Sequence, residues 1–150
     1  MKSMANKNAK RLSLVVHYAC SNDALPSRAQ IRRWAVASIE RSAQVTIRFV
    51  DANEGRLINH EFRKKNHATN VLSFSYESNP VIGDLVLCVP VVLQEARKQK
   101  KPTRSHFAHM IVHGMLHLQG YDHESGKQQA ALMESRECEI LARFGIPDPY

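Results

Sequence analysis

The chain has 150 residues, of which 43% are hydrophobic and 23% charged, a composition suited to one globular domain and unlike an extended disordered segment. Its 21 lysines and arginines against 14 aspartates and glutamates leave a formal charge of +7, which favours an anionic partner such as nucleic acid without naming one. The longest apolar run, residues 85–93, is far short of the ~20 residues that span a bilayer, and the dispersed Cys20, Cys88 and Cys138 suggest neither a disulfide framework nor a thiolate metal site, so a reducing cytoplasm is expected.

The opening MKSMANKNAKRL lacks the apolar core of a secretory signal and is expected to be a flexible tail over residues 1–11. LSLVVHY, residues 12–18, is apolar and β-branched and predicts a first strand. Ser27 is placed to cap a helix whose Ile31, Trp34, Ala35, Ser38 and Ile39 recur every three or four residues. In residues 44–51, Val45, Ile47 and Phe49 alternate with polar positions, the pattern of a half-buried strand. Asp51 followed by Glu54 resembles a capping box and predicts a short helix with Leu57, Ile58 and Phe62 facing inward, ending at RKKNH. Residues 70–76 and 81–89 predict two more strands joined as a hairpin through ESNP. A helix is expected from Pro90, broken by Pro102, and another from Ser105 carrying His106, His109, His113 and His117. A last helix over about 124–144 places Leu132, Met133, Arg136, Ile140, Leu141 and Phe144 on one face. Together these predict an α+β fold, a small mixed four-stranded sheet packed with about five helices.

HGMLHLQGYDH, residues 113–123, carries the chemistry. Residues four apart on a helix share a face, so His113 and His117 can present two nitrogens to one point. Gly120 can end that helix in a left-handed turn and let His123 return as a third ligand. Three imidazoles suit Zn²⁺ and leave a fourth position for water or substrate, as in catalytic sites. The same spacing occurs in one group of zinc proteases, where a glutamate general base follows the first histidine. Here Gly114 stands in that place, and loss of such a base costs on the order of 10²- to 10⁴-fold, so peptide hydrolysis is disfavoured. A glycine inside a helix costs ~1 kcal/mol against alanine, which suggests close approach of something to the metal, such as a wide substrate. An ion with three neutral ligands keeps its full charge and suits a phosphodiester, with an arginine to hold the phosphate oxygens. Around this motif, His109 is expected as a cavity wall or as support for a ligand, and His106 as an exposed residue. Asp122 either orients an imidazole or begins the last helix. RKQKKPTR, residues 97–104, reads as a charged helix end, since no aromatic residues interleave with it as an RNA platform would require.

HGMLHLQGYDH, with FRKKNHATNVLSFSYE, GDLVLC, MESRECEI and the final DPY in the same order and spacing, resembles the YbeY family of bacterial rRNA maturation factors and single-strand-specific endoribonucleases. The resemblance covers roughly the second strand to the C-terminus. It implies a zincin-like helix, one zinc ion held by His113, His117 and His123, and a functional arginine at Arg63. It also implies a role in 16S rRNA 3′-end maturation and ribosome quality control, with single-stranded RNA, the ribosomal small subunit and assembly factors as partners. FSYE stands where the family often has proline after the phenylalanine, away from the histidines. The rival expectation is an assembly or recruitment factor with a mainly structural metal and little cleavage of its own.

Overall fold

The computed structural model describes residues 10–63 and 69–150. In chain order they form β1 (Leu12–Tyr18), α1 (Arg28–Ser38), β2 (Ala43–Val50), α2 (Ala52–Arg63), β3 (Val71–Ser78), β4 (Val81–Cys88), α3 (Val89–Lys98), α4 (Thr103–Leu118) and α5 (Lys127–Ala142). The sheet order is β1-β2-β4-β3. β1, β2 and β4 run parallel, and β3 pairs antiparallel with β4 as an edge hairpin. The expected mixed four-stranded α+β architecture is what the chain adopts.

The local signals explain most boundaries. Ser27 accepts from the Gln30 backbone N–H while the Gln30 side chain returns to the Ser27 N–H, a full capping box that fixes the start of α1. Val45, Ile47 and Phe49 lie in the core on one face of β2, as their alternation requires. β4 is buried along most of its length, as expected of a strand flanked on both sides. Of the expected tail, residues 1–9 lie outside the described residues, while the Arg11 carbonyl accepts from the Ala43 N–H and so extends the β1–β2 pairing.

α4 is the central helix. It packs against α1, α3, α5, β3 and β4, and nearly every side chain from His106 to Leu118 is buried. A helix enclosed in this way has no single apolar face, so periodicity could not mark its start, and it begins at Thr103 after Pro102 instead of at Ser105. α5 also starts later than expected, at Lys127. The intervening segment is therefore loop, and that loop carries His123.

Three inward assignments fail. Leu57 and Phe62 are each 62% exposed, and Leu132 faces solvent as well. α2 approaches the sheet through its smallest residue, since a Cβ on Gly55 would lie 3.0 Å from Cys88 Sγ. Leu57 and Phe62 are thus left outside, while Ile58 packs partly against the cluster of Val50, Leu72, Val86 and Cys88. Asp51 Oδ1 does accept from the Glu54 N–H, but the Glu54 carboxylate pairs with Arg48 at 2.8 Å, so only half of the expected capping box forms. Of the expected RKKNH end, Arg63 belongs to α2 and the rest lies outside the described residues.

Candidate metal centre and its cavity

A cavity of about 770 Å³ opens between α4, edge strand β3 and the end of α2, lined by Arg63, His109, His113, His117, His123 and Tyr150 among others. His113 and His117 project from one face of α4. The helix ends in a Schellman arrangement: the Tyr121 N–H reaches the Leu116 carbonyl at 3.2 Å and the Gly120 N–H reaches the His117 carbonyl at 3.1 Å. Gly120 has φ +102°, a conformation that favours glycine, and this reverses the chain so that His123 returns over the helix. The ring centroids of His113, His117 and His123 lie 4.9, 5.6 and 6.0 Å apart. Imidazoles sharing one tetrahedral ion at ~2.1 Å place their rings roughly 5 Å apart, so the trio has the dimensions of a three-histidine metal site.

Among the described residues, ligand-capable atoms gather in two groups within 4.8 Å: His109, His113 and Glu137, and His117, Asp122 and His123. Hydrogen bonds already consume the first group. Glu137 is fully buried on α5; its Oε1 accepts from His109 Nε2 at 2.6 Å and from the Tyr150 hydroxyl at 2.7 Å, and its Oε2 accepts from His113 Nδ1 at 3.1 Å. Burial alone would raise this carboxyl, but the bonds from His109, His113 and Tyr150 outweigh it and hold it down at about 2. An ionised acceptor requires a proton on His113 Nδ1, so that in the neutral imidazole it is Nε2 whose lone pair can face the cavity. This carboxylate–histidine pairing commonly lies behind a metal-bound imidazole. Burial first, then the neighbouring His113 and His123, hold His117 below the ordinary histidine range, in the neutral form that binds metal. Donor type, ring spacing and the neutral form favoured at His117 therefore fit a zinc ion.

Each remaining sequence candidate has a definite place. Arg63 is the last residue of α2 and lines the same cavity. His109 is both wall and support, through its bond to Glu137. Asp122 neither begins α5 nor hydrogen-bonds an imidazole; it accepts from the Glu124 N–H and the Ser125 hydroxyl, ties that lower its carboxyl and shape the loop bearing His123. His106 is not exposed but 2% accessible, donating through Nε2 to Glu95 of α3 at 2.8 Å.

Gly114 requires a different explanation from close approach at the metal. A Cβ there would lie 2.8 Å from Leu85 Cδ2 in the core, so the glycine lets α4 lie against β4. A glutamate at 114 would be driven into Leu85, so packing as well as sequence disfavours a protease base at that position.

Sequence reasoning missed Glu137 and Tyr150 as members of the site. The signal for Glu137 was present: it falls four residues after Met133 and three or four before Ile140 and Leu141, a charge on the buried face of α5. Such a residue is almost never enclosed unless paired.

A mixed sheet whose central helix presents clustered histidines to an open cavity beside the edge strand defines an α+β protein with a candidate metal site. The chain belongs to the YbeY family: the profile described as Endoribonuclease YbeY matches residues 22–145. Relatives carrying the name Endoribonuclease YbeY include one from Thiobacillus denitrificans, 52% identical over 95% of this chain and 98% of its own length. Another, from Ralstonia nicotianae, is 53% identical over 88% of this chain and 72% of its own. A third, from Nitrosomonas europaea, is 46% identical over 94% and 86%. A solved Thermotoga maritima protein shares the fold with a TM-score of 0.59 at 22% identity, covering 89% of this chain and 91% of that one.

Proposed function

We propose that the protein is a zinc-dependent, single-strand-specific endoribonuclease that binds one zinc ion through His113, His117 and His123 and acts in the cytoplasm on the maturing 3′ end of 16S rRNA and in ribosome quality control. The observation that carries this reading is the convergence of those three rings in a cavity that Arg63 also lines. The family name of the relatives supports RNA as substrate, and the +7 charge suits a polyanion.

When bound, zinc supplies Lewis acidity toward a phosphoryl oxygen and lowers the pKa of water. The remaining work falls to the chain's own groups. Glu137 fixes the tautomer and aim of His113 by accepting from Nδ1, and His109 and Tyr150 hold Glu137 in turn. Arg63 offers a permanently charged planar fork that matches two phosphate oxygens as negative charge builds on them. With Gly114 against Leu85, position 114 supplies no proton acceptor. The attacking group is then either water or the ribose 2′-hydroxyl, and product ends distinguish them: a 2′,3′-cyclic phosphate requires internal attack, and a 5′-phosphate excludes it.

Elemental analysis of unwashed protein, paired with cleavage of single-stranded RNA by wild type, His117→Ala and Arg63→Ala, tests the reading. One zinc per chain is expected in wild type and Arg63→Ala, less in His117→Ala, with cleavage lost in both variants while circular dichroism stays unchanged. Equal cleavage by a folded, metal-free variant would assign the activity to a contaminant and favour a recruitment factor. Casein hydrolysis is expected in no sample.

A further inference from the structure

We propose that Phe62 and Phe74 form a stacking platform that receives one unpaired nucleobase beside the phosphodiester held in the histidine cavity. The proposal rests on the reading of the substrate as RNA and adds how a single strand is chosen. Phe62 stands 62% exposed near the end of α2, one residue before Arg63, and both line the cavity with His113, His117 and His123. The aromatic partner of Phe62 is Phe74 of β3, with centroids 5.4 Å apart and planes at 70°.

Phe74 is anchored, packing against the small cluster of Val50, Leu72, Val86 and Cys88. An edge-to-face contact uses the edge of one ring and a single face of the other, so each ring keeps at least one face that its partner does not cover. The pair is thus an aromatic surface anchored through Phe74, at the rim of a cavity that also holds four imidazoles and the Arg63 guanidinium. A nucleotide offers the matching pair of features, an anionic phosphate and a flat base a few ångströms away. Stacking ignores base identity, because every base has a π-face. It does require a base free of its helical neighbours, which a duplex does not offer without unstacking. The platform therefore selects single strands without reading sequence. The same exposed rings would also suit an apolar protein partner, and the test separates the two occupants.

A fluorescein-labelled single-stranded oligoribonucleotide and its duplex are mixed with zinc-loaded protein in a stopped-flow instrument, and anisotropy is read before strand scission. Phe62→Ala is expected to weaken single-strand binding about tenfold, the scale of one stacked base, and to leave duplex binding unchanged. Phe62→Leu keeps apolar bulk without a π-face and should lose as much, while Phe62→Trp should bind at least as well as wild type. Replacing bases one at a time by abasic sites should reveal a position where wild type loses about tenfold and Phe62→Ala loses nothing more. Thermal melting confirms that each variant is folded. Single-strand binding by Phe62→Leu equal to wild type, or equal losses on single strand and duplex, would overturn the platform and return the rings to a protein partner or a structural role. In either case wild-type cleavage would stand. A wild type that neither binds nor cleaves single-stranded RNA would instead remove the nuclease reading and the platform with it.

Discussion

Glu137 accepts the Nδ1 proton of His113 at 3.1 Å from a position with no solvent exposure, joining α5 to the helix that bears two of the three proposed metal ligands. Replacing it by glutamine keeps the shape but turns one oxygen into a donor and removes the charge that fixes the imidazole tautomer. Glu137→Gln is expected to weaken zinc binding about 10- to 100-fold in a chelator competition. Glu137→Ala should cost on the order of 3–5 kcal/mol in urea unfolding, because His109, His113 and Tyr150 then face a buried void without their acceptor. A Glu137→Gln protein with unaltered zinc affinity would confine this carboxylate to a structural role.

The same carboxyl sets an acid limit. Its ordinary value is 4.5, and the folded protein holds it at about 2. Between those values the unfolded chain takes up a proton that the native state refuses, so stability is present above pH 4.5 and is lost as pH falls toward 2. The shift corresponds to about 3 kcal/mol. Urea titrations across this window should show that loss in wild type and a shallower one in Glu137→Gln.

His106 acts in a higher window. Burial outweighs the Glu95 carboxylate and lowers its pKa below 6.5, and its Nδ1 is buried without a hydrogen-bond partner among the described residues. Protonation there would place an N–H where nothing accepts it. The unfolded chain gains its proton near pH 6.5 while the folded one does not, so stability falls as pH drops below that point. His106→Gln, which still offers a donor to Glu95, should flatten the stability profile just below pH 6.5 without touching the steeper loss below 4.5.

Legibility in the sequence followed the physics of each element. β2 was readable because one face is buried and one is not, and α1 because it carries both a cap and a stripe. The histidine spacing was readable because helix pitch and a left-handed glycine are local properties of the chain. α2 was misread because its contact with Cys88 runs through Gly55, so Leu57 and Phe62, the residues most suited to a core, are displaced outward. His106 was misread because its partner, Glu95, comes from another helix. The support behind the candidate site depends on α5 crossing α4 and on Tyr150 reaching Glu137: the local pattern marks Glu137 as a buried charge but does not encode which groups pair with it.

Gly114 meets two opposing effects. Alanine gains ~1 kcal/mol of helix propensity, yet its Cβ would lie 2.8 Å from the buried Leu85 Cδ2, and overpacking a filled core costs ~1–3 kcal/mol. Gly114→Ala should therefore lose up to about 2 kcal/mol, and much of that should return when Leu85 is shortened to valine, measured as a double-mutant cycle. Gly114→Glu should lose more, since a carboxylate is pressed against apolar side chains, and it should gain no proteolytic activity.

Gly120 isolates the backbone contribution to the site. Among the described residues nothing lies within 4 Å of where its Cβ would be, so a substitution meets only the penalty of holding an L-residue at φ +102°. That strain is of order 1–3 kcal/mol. The turn can relieve it by relaxing, and relaxation carries away His123, which no helix holds, whereas His113 and His117 stay fixed on α4. Gly120→Ala should therefore lower zinc affinity toward that of His123→Ala while shifting the metal-free melting temperature by only a few degrees. Gly120→Asn, the residue next most tolerant of a left-handed backbone, should fall between alanine and wild type in zinc affinity. If Gly120→Ala binds zinc as wild type does, His123 does not depend on this turn, and the three-histidine assignment loses its geometric basis.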